Sequence, residues 1–172
     1  TPLVSLVYSS HSGPGIAGYG WQVTGISAIS RSPQTMYHDG VTGEVGLNYS
    51  DRFSIDGQRL ITTYGNYGYN GATYQTENDV FTRVISEGTS GYGPLKFKAE
   101  TKSGLKYEYG YTVNSRQKIS GDDGVLSWYA SKISDLYGND IVINYLQDNS
   151  FVYPAEIIYG PNKICLLYTS PS

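Results

Sequence analysis

The chain has 172 residues, enough for one domain that buries roughly 70% of the surface its unfolded chain exposes. A net charge of −3, from 12 basic and 15 acidic residues with no run of Lys or Arg, excludes a phosphate-binding stripe and with it nucleic acid as an expected partner. The longest apolar stretches, such as 164–168, fall far short of the roughly 20 residues of a membrane-spanning helix, and the single Cys165 excludes an internal disulfide.

The 18 tyrosines and 21 glycines point to β-hairpins, because Tyr favours pleated, half-buried surfaces and Gly punctuates turns. Residues 3–10 (LVSLVYSS) read as a strand, 12–20 (SGPGIAGYG) as a turn and 21–30 (WQVTGISAIS) as a second extended segment. In the latter, Trp21, Val23, Gly25 and Ser27 share one face and Ile26 and Ala28 the other; both are partly apolar, which predicts cover on each side. Residues 52–61 (RFSIDGQRLI) carry Asp56-Gly57, a preferred dipeptide of two-residue hairpin turns. That register sets Phe53 opposite Leu60 with Ile55 on the same face, and Ser54 opposite Arg59. Residues 63–76 (TYGNYGYNGATYQT) read either as a solvent loop or as a hairpin turning at Asn70-Gly71.

Residues 95–111 (LKFKAETKSGLKYEYGY) allow register to be tested by arithmetic, since one residue more or less in the loop flips one strand's side chains. A two-residue Ser103-Gly104 turn sets Glu100 opposite Tyr107 and Lys98 opposite Tyr109, mixing charge with aromatic. A three-residue loop, Lys102-Ser103-Gly104 with Gly104 left-handed, instead pairs Phe97 with Tyr109, Ala99 with Tyr107 and Leu95 with Tyr111. The opposite face then pairs Lys98 with Glu108 and Glu100 with Lys106, so a bulged three-residue hairpin is predicted. Residues 125–145 repeat the theme, with a connection over 135–139 that sets Ile133 opposite Ile141 and Tyr129 opposite Tyr145. No window sustains an apolar repeat at helical spacing. The predicted fold class is all-β, built of antiparallel hairpins.

Several of these stretches resemble one known family. GPGIAGYGWQVTGISAISR (13–31), DRFSIDGQRL (51–60), FTRVIS followed by GPLKFKAETKSGLKYEYG (81–110) and WYASKISDLYGNDIVINY (128–145) are similar to the N-terminal region of the Salmonella virulence-plasmid toxin B family. That region is shared with insecticidal toxin-complex B components and many RHS or YD-repeat proteins. The likeness runs to about residue 162. It implies a secreted bacterial protein, cytoplasmic before export, whose curled, incomplete sheet forms a shell or barrel-like wall that encloses or presents a C-terminal toxin or effector. The implied partners are the remainder of its own polypeptide, with RHS repeats and C-terminal cargo, and other toxin-complex subunits. Residues 1–162 then form one non-catalytic β region that needs no cofactor. Residues 163–172 depart from it: CLLYTSPS (165–172) resembles a translated sequencing-adapter sequence found at the ends of some metagenomic reading frames, and is expected to carry no structural weight.

Catalytic and metal chemistry finds little support in the sequence. His11 and His38 stand apart in Ser- or Gly-rich surroundings, where turn polarity accounts for them. Asp122-Asp123-Gly124, and Asp135 with Asn139-Asp140, lack the alternating carboxylates of a dedicated calcium loop, and turns favour Asp beside Gly. Gly13-Pro14-Gly15 with Gly18 and Gly20 lacks the Lys-Ser/Thr ending of a phosphate loop. The ADP-ribosyltransferase activity attached to the virulence-plasmid toxin implies a Glu-x-Glu pair, which no Glu here supplies. One rival of a different class is an extracellular carbohydrate- or protein-binding module using exposed Tyr67, Tyr69, Tyr74 and Tyr92. The plainer expectation is cross-strand Tyr packing within a two-sided sheet.

Overall fold

The computed structural model describes residues 26–166 in full and, upstream of them, the backbone of four short strands. These are β1 (Ser5–Tyr8), β2 (Pro14–Gly15), β3 (Gly18–Tyr19) and β4 (Trp21–Thr24); β1 pairs with β4 and β2 with β3, apart from the main sheet. The strand expected over 3–10 and the turn over 12–20 have counterparts here. The segment over 21–30 divides into β4 and the strand that follows it. His11 and the face assigned to Trp21, Val23 and Gly25 lie outside the described residues.

The main sheet has twelve strands. They are β5 (Ala28–Ser32), β6 (Arg52–Ile55), β7 (Gln58–Tyr64), β8 (Thr73–Thr76), β9 (Phe81–Glu87), β10 (Lys96–Thr101), β11 (Lys106–Tyr109), β12 (Arg116–Lys118), β13 (Val125–Ser134), β14 (Asp140–Asp148), β15 (Phe151–Tyr159) and β16 (Asn162–Cys165). Neighbours from β5 to β11 pair in chain order, β11 then bonds β13, and β13 bonds β5, which closes eight antiparallel strands into a barrel. The ten residues of β13 permit this by changing partners along their length. Ser127 to Tyr129 pair with β5, while Ala130 to Ser134 pair with β11. The curled sheet expected from the sequence thus goes further and seals itself; among the described residues, β12, which pairs with β13 alone, and the extension β14–β15–β16, which leaves β13 beside the seam, lie outside the ring, and the extension runs on to an unpaired edge at β16.

The hairpins follow the turn chemistry. Asp56 and Gly57 both take left-handed backbone, φ 49° and 81°, as a two-residue turn twisted to suit its strands requires. Ser54 pairs with Arg59 as predicted. The β10–β11 register is the predicted one at Phe97 with Tyr109, Lys98 with Glu108, Ala99 with Tyr107 and Glu100 with Lys106, and Gly104 sits at φ 88°. Pairing stops short of Leu95 and Tyr111, because Gly110 at φ 70° turns the chain away. Lys98 stands opposite Glu108 as expected, and its ion pair is with Glu87 on β9, at 3.9 Å. Ile133 pairs with Ile141. Tyr129 and Tyr145, expected opposite each other, lie where β14 has parted from β13, yet their rings still meet at 5.6 Å. Residues 63–76 resolve into a hairpin of β7 and β8, whose connection spans 65–72 and is not a tight turn at Asn70-Gly71. Cys165, where the departing CLLYTSPS stretch begins, is the last residue of the edge strand β16.

Aromatic rings fill the barrel. Phe53 lies 5.3 Å from Phe97 and 5.4 Å from Trp128, both edge to face, and Phe97 meets Trp128 at 4.8 Å. A second cluster, Ile143, Tyr145, Val152 and Ile157 with Ile26 and Tyr129, glues the β14–β15 extension to the outside of the wall. The cover predicted on both sides of the 21–30 segment is met at Ile26, which packs outward, and at Ile29, which is buried in the barrel. Outward positions carry Arg83, Lys98, Glu100, Lys106 and Glu108, charges that a lipid-facing band excludes. Among the described residues no helix is long and apolar enough to cross a membrane.

One side chain is spliced into the wall itself. Direct pairing of β6 with β7 covers only the two steps next to the turn. At the next step the Phe53 N–H donates to the Tyr67 hydroxyl (2.8 Å), which donates in turn to the Leu60 carbonyl (2.9 Å). Burial raises the Tyr67 pKa far above that of a free phenol. Tyr67→Phe leaves a backbone donor and acceptor unpaired and is expected to cost about 1–3 kcal/mol in urea unfolding. Tyr64→Phe, on a ring that is 74% exposed, is the control expected to change nothing.

Candidate functional site

The tight turns at 56–57, 102–104 and 135–139 gather at one end of the barrel, and the longer connections 33–51, 65–72 and 88–95 gather at the other. Function tends to reside on such loops when a rigid scaffold holds them. Arg31 stoppers this open end. It stands at an inward position of β5, two residues after the buried Ile29, and its side chain is wholly shielded from solvent, as is that of its partner Asp51. Its guanidinium donates from Nε to the Val125 carbonyl (2.7 Å), from one terminal nitrogen to Asp51 Oδ2 (3.0 Å) and the Asn48 carbonyl (3.2 Å), and from the other to the Tyr92 carbonyl (3.3 Å). Asp51 also accepts the N–H groups of Gly46 and Asn48. Phe53 and Trp128 lie beneath the cation, at 5.7 and 5.8 Å from ring centre to Cζ. A Cβ on Gly93 would overlap the guanidinium, which accounts for glycine there.

Above this stopper lie three tyrosines from three loops. Tyr49 and Tyr69 stack with centres 4.1 Å apart and planes 7° from parallel, and Tyr92 meets Tyr49 edge-on at 5.9 Å and 80°. Tyr69 is 47% exposed and Tyr92 63%. The four rings singled out from the sequence therefore divide. Tyr74 is fully buried and Tyr67 is held in the wall, which corrects the expectation that both are exposed; their neighbours Phe53 and Phe97 draw them inward. Tyr69 and Tyr92 do reach the surface and are brought together through Tyr49, which the sequence reading missed although it lies in a comparable Asn- and Ser-flanked loop.

The family model described as Salmonella virulence plasmid 65kDa B protein matches residues 1–159. The chain belongs to this family. Among solved structures, the N-terminal domain of the effector protein SpvB from Salmonella typhimurium strain LT2 is similar to it with a TM-score of 0.70 at 21% identity, over 97% of this chain and 62% of that one. The TcdB2-TccC3-Cdc42 crystal structure gives a TM-score of 0.69 at 16% identity, over 92% of this chain and 9% of that one. The Photorhabdus luminescens Tc holotoxin pore gives 0.69 at 17%, over 99% and 9%. The chain thus spans less than two thirds of the SpvB domain and under a tenth of the Tc chains. No curated protein matches it.

In this member of the virulence plasmid B family, the remaining polar candidates serve the fold. Asp122 accepts the Gly124 N–H (2.6 Å), and Asp135 accepts the N–H groups of Tyr137 and Asn139, both as turn-forming caps. His38 sits in α1 (Met36–Asp39), a single helical turn capped by Thr35. Its ring nitrogens lie 3.1 Å from Thr35 Oγ1 and 2.9 Å from Glu77 Oε1. The Thr35 oxygen already accepts the His38 N–H, so the line of groups pins α1 against the β8–β9 turn.

Asp39 anchors the same helical turn to the wall, bonding Arg52 at 3.0 Å and Arg59 at 2.6 Å. Burial opposes its charge, but the Thr35 N–H, Arg59 and Arg52 outweigh that and hold the carboxyl below its usual range. A depressed folded-state pKa contributes stability that is complete above the unfolded-state value near ~4 and is lost as pH falls through the lower folded value. The stability gap between wild type and Asp39→Asn is therefore expected to shrink as urea unfolding is repeated from pH 6 down to pH 3. Arg31→Met, which strands a buried carboxylate, is expected to cost about 3–5 kcal/mol. Adding Asp51→Leu is expected to recover part of that loss, the coupling being read from a double-mutant cycle of thermal unfolding.

Proposed function

We propose that the chain is a non-catalytic wall module of a secreted, toxin-complex-related protein, and that further polypeptide of the same protein continues its sheet towards a shell that encloses or presents a C-terminal toxin or effector. The observation that carries this reading is the course of the sheet beyond the barrel. β14 to β16 leave the closed ring, pack back on it through Ile143, Tyr145, Val152 and Ile157, and end on a strand that, among the described residues, pairs with β15 alone. An unpaired edge of this kind is a template for another strand. The solid aromatic interior supports the reading too, since a barrel filled by Phe53, Phe97 and Trp128 keeps its centre for packing. Relatives described as an effector domain and as a Tc holotoxin share the fold, and this agrees with RHS repeats, cargo and other toxin-complex subunits as partners and with export as destination.

Without its continuation, the chain is expected to self-associate through β16. Light scattering after size exclusion checks this over rising concentration: wild type is expected to shift to larger species, and Ile164→Lys, which puts a charge on a residue 59% exposed at the edge, to stay monomeric. A wild-type chain that remains monomeric throughout overturns the open-edge reading.

A further inference from the structure

We infer that Tyr49, Tyr69 and Tyr92 form a binding platform at the mouth of the barrel for a neutral carbohydrate ring. This inference stands independently of the wall reading, because the platform and the β16 edge occupy different parts of the molecule.

The first argument is the division among the tyrosines. Four hydroxyls of buried or wall-held tyrosines are taken up by the protein: Tyr67 by Phe53 and Leu60, Tyr74 by Gly68 and Ser86, Tyr109 by Ser27, and Tyr145 by the Ala130 carbonyl. The hydroxyls of Tyr49, Tyr69 and Tyr92 have no partner among the described residues. Tyr69 and Tyr92 offer exposed ring surface with an unused donor and acceptor at one place, and Tyr49 links them; this is the combination a sugar presents in return, an apolar C–H face bordered by hydroxyls.

The second argument is rigidity. Most exposed rings on loops lose side-chain and backbone freedom when they bind, and that loss lowers affinity. Here the ordering is built in. The Tyr92 carbonyl is held by the Arg31 guanidinium, that of Tyr49 by Arg52 at 3.3 Å and that of Tyr69 by the Ser86 hydroxyl at 2.6 Å. The rings then fix one another, through the Tyr49–Tyr69 stack and the edge-on contact of Tyr92.

The third argument selects the ligand's charge. The residues that flank the three rings in sequence are Asn48 and Ser50, Gly68 and Asn70, and Gly91 and Gly93, none of them ionisable, and the cations nearest them are engaged within the protein, Arg52 with Asp39 at 3.0 Å and Lys118 with the Ser90 hydroxyl at 3.2 Å. Arg31 and Asp51, the charges beneath, neutralise each other out of reach of solvent. A site whose nearest charges are already bonded within the fold offers little to compensate the desolvation of a carboxylate or sulfate. A neutral sugar meets no such penalty.

The test is a glycan array carrying neutral oligosaccharides of glucose, galactose, mannose and N-acetylglucosamine beside sialylated and sulfated ones, probed with the whole chain and its variants. Neutral glycans are expected to bind, with binding roughly tenfold weaker or lost in Tyr69→Ala and in Tyr92→Ala, and largely kept in Tyr69→Phe, which preserves the stack. Equal melting temperatures for the four proteins establish that the losses are local. Binding to no neutral glycan, binding confined to acidic ones, or binding unchanged in both alanine variants overturns the inference. None of these results bears on self-association through β16, so the two readings fail separately.

Discussion

A guanidinium taken out of water costs several kcal/mol unless its N–H groups are met, and in this chain that requirement organises one whole end of the barrel. Arg31 bonds three separate stretches of chain, the start of β13 through Val125, the 33–51 connection through Asn48 and Asp51, and the 88–95 connection through Tyr92, and it rests on the rings of Phe53 and Trp128. Hydrophobic packing alone fixes no unique path for loops of this length. The directional bonds of a planar fork do, because each carbonyl must lie in its plane at bonding distance. The mouth therefore has a defined shape, and the tyrosines upon it inherit that shape.

At the opposite end order is achieved with less. The Asp56-Gly57 turn folds back so that the Asp56 carboxylate takes the Ala28 N–H and the Ser27 hydroxyl, which in turn contacts the buried Tyr109 hydroxyl at 2.6 Å. A turn residue thereby fastens the beginning of β5 to the hairpin that follows it. Between the two ends the wall closes because β13 is long enough to serve β5 with one half and β11 with the other. Closure removes the edges that eight strands would otherwise expose and, among the described residues, leaves the open ones to β12 and β16 outside the ring. A module of this design is closed at its centre and carries its unpaired edges at its margin.

Tyrosine performs both structural and surface work here. Inside, its ring fills volume while its hydroxyl satisfies backbone groups that the curvature of the wall separates, as Tyr67 does between β6 and β7. At the surface the same residue provides adaptable contact area with few rotatable bonds. Composition cannot tell the two uses apart. Tyr67, Tyr69 and Tyr74 fall within eight residues of similar sequence, yet one is spliced into a ladder, one is half open to solvent and one is wholly buried.

By itself the sequence determined what is local. Turn dipeptides and side-chain alternation act over a few residues, so the Asp56-Gly57 turn, the three-residue loop at 102–104, the β10–β11 register and the pairing of Ile133 with Ile141 were all legible, as was the all-β class. The motifs quoted from 13–31 to 128–145 also carried the family. Decisions that depend on distant partners belonged to the tertiary structure. That β11 and β5 would meet on β13 requires contacts some twenty to a hundred residues apart, for which no local pattern codes. Arg31 left one trace, a charge at an inward phase of β5 two residues after Ile29, but its meaning depended on Asp51, Val125 and Tyr92 arriving from elsewhere. The platform of Tyr49, Tyr69 and Tyr92 was hidden for the same reason: three loops meet only once the barrel has closed, and closure is a property of the whole ring of strands.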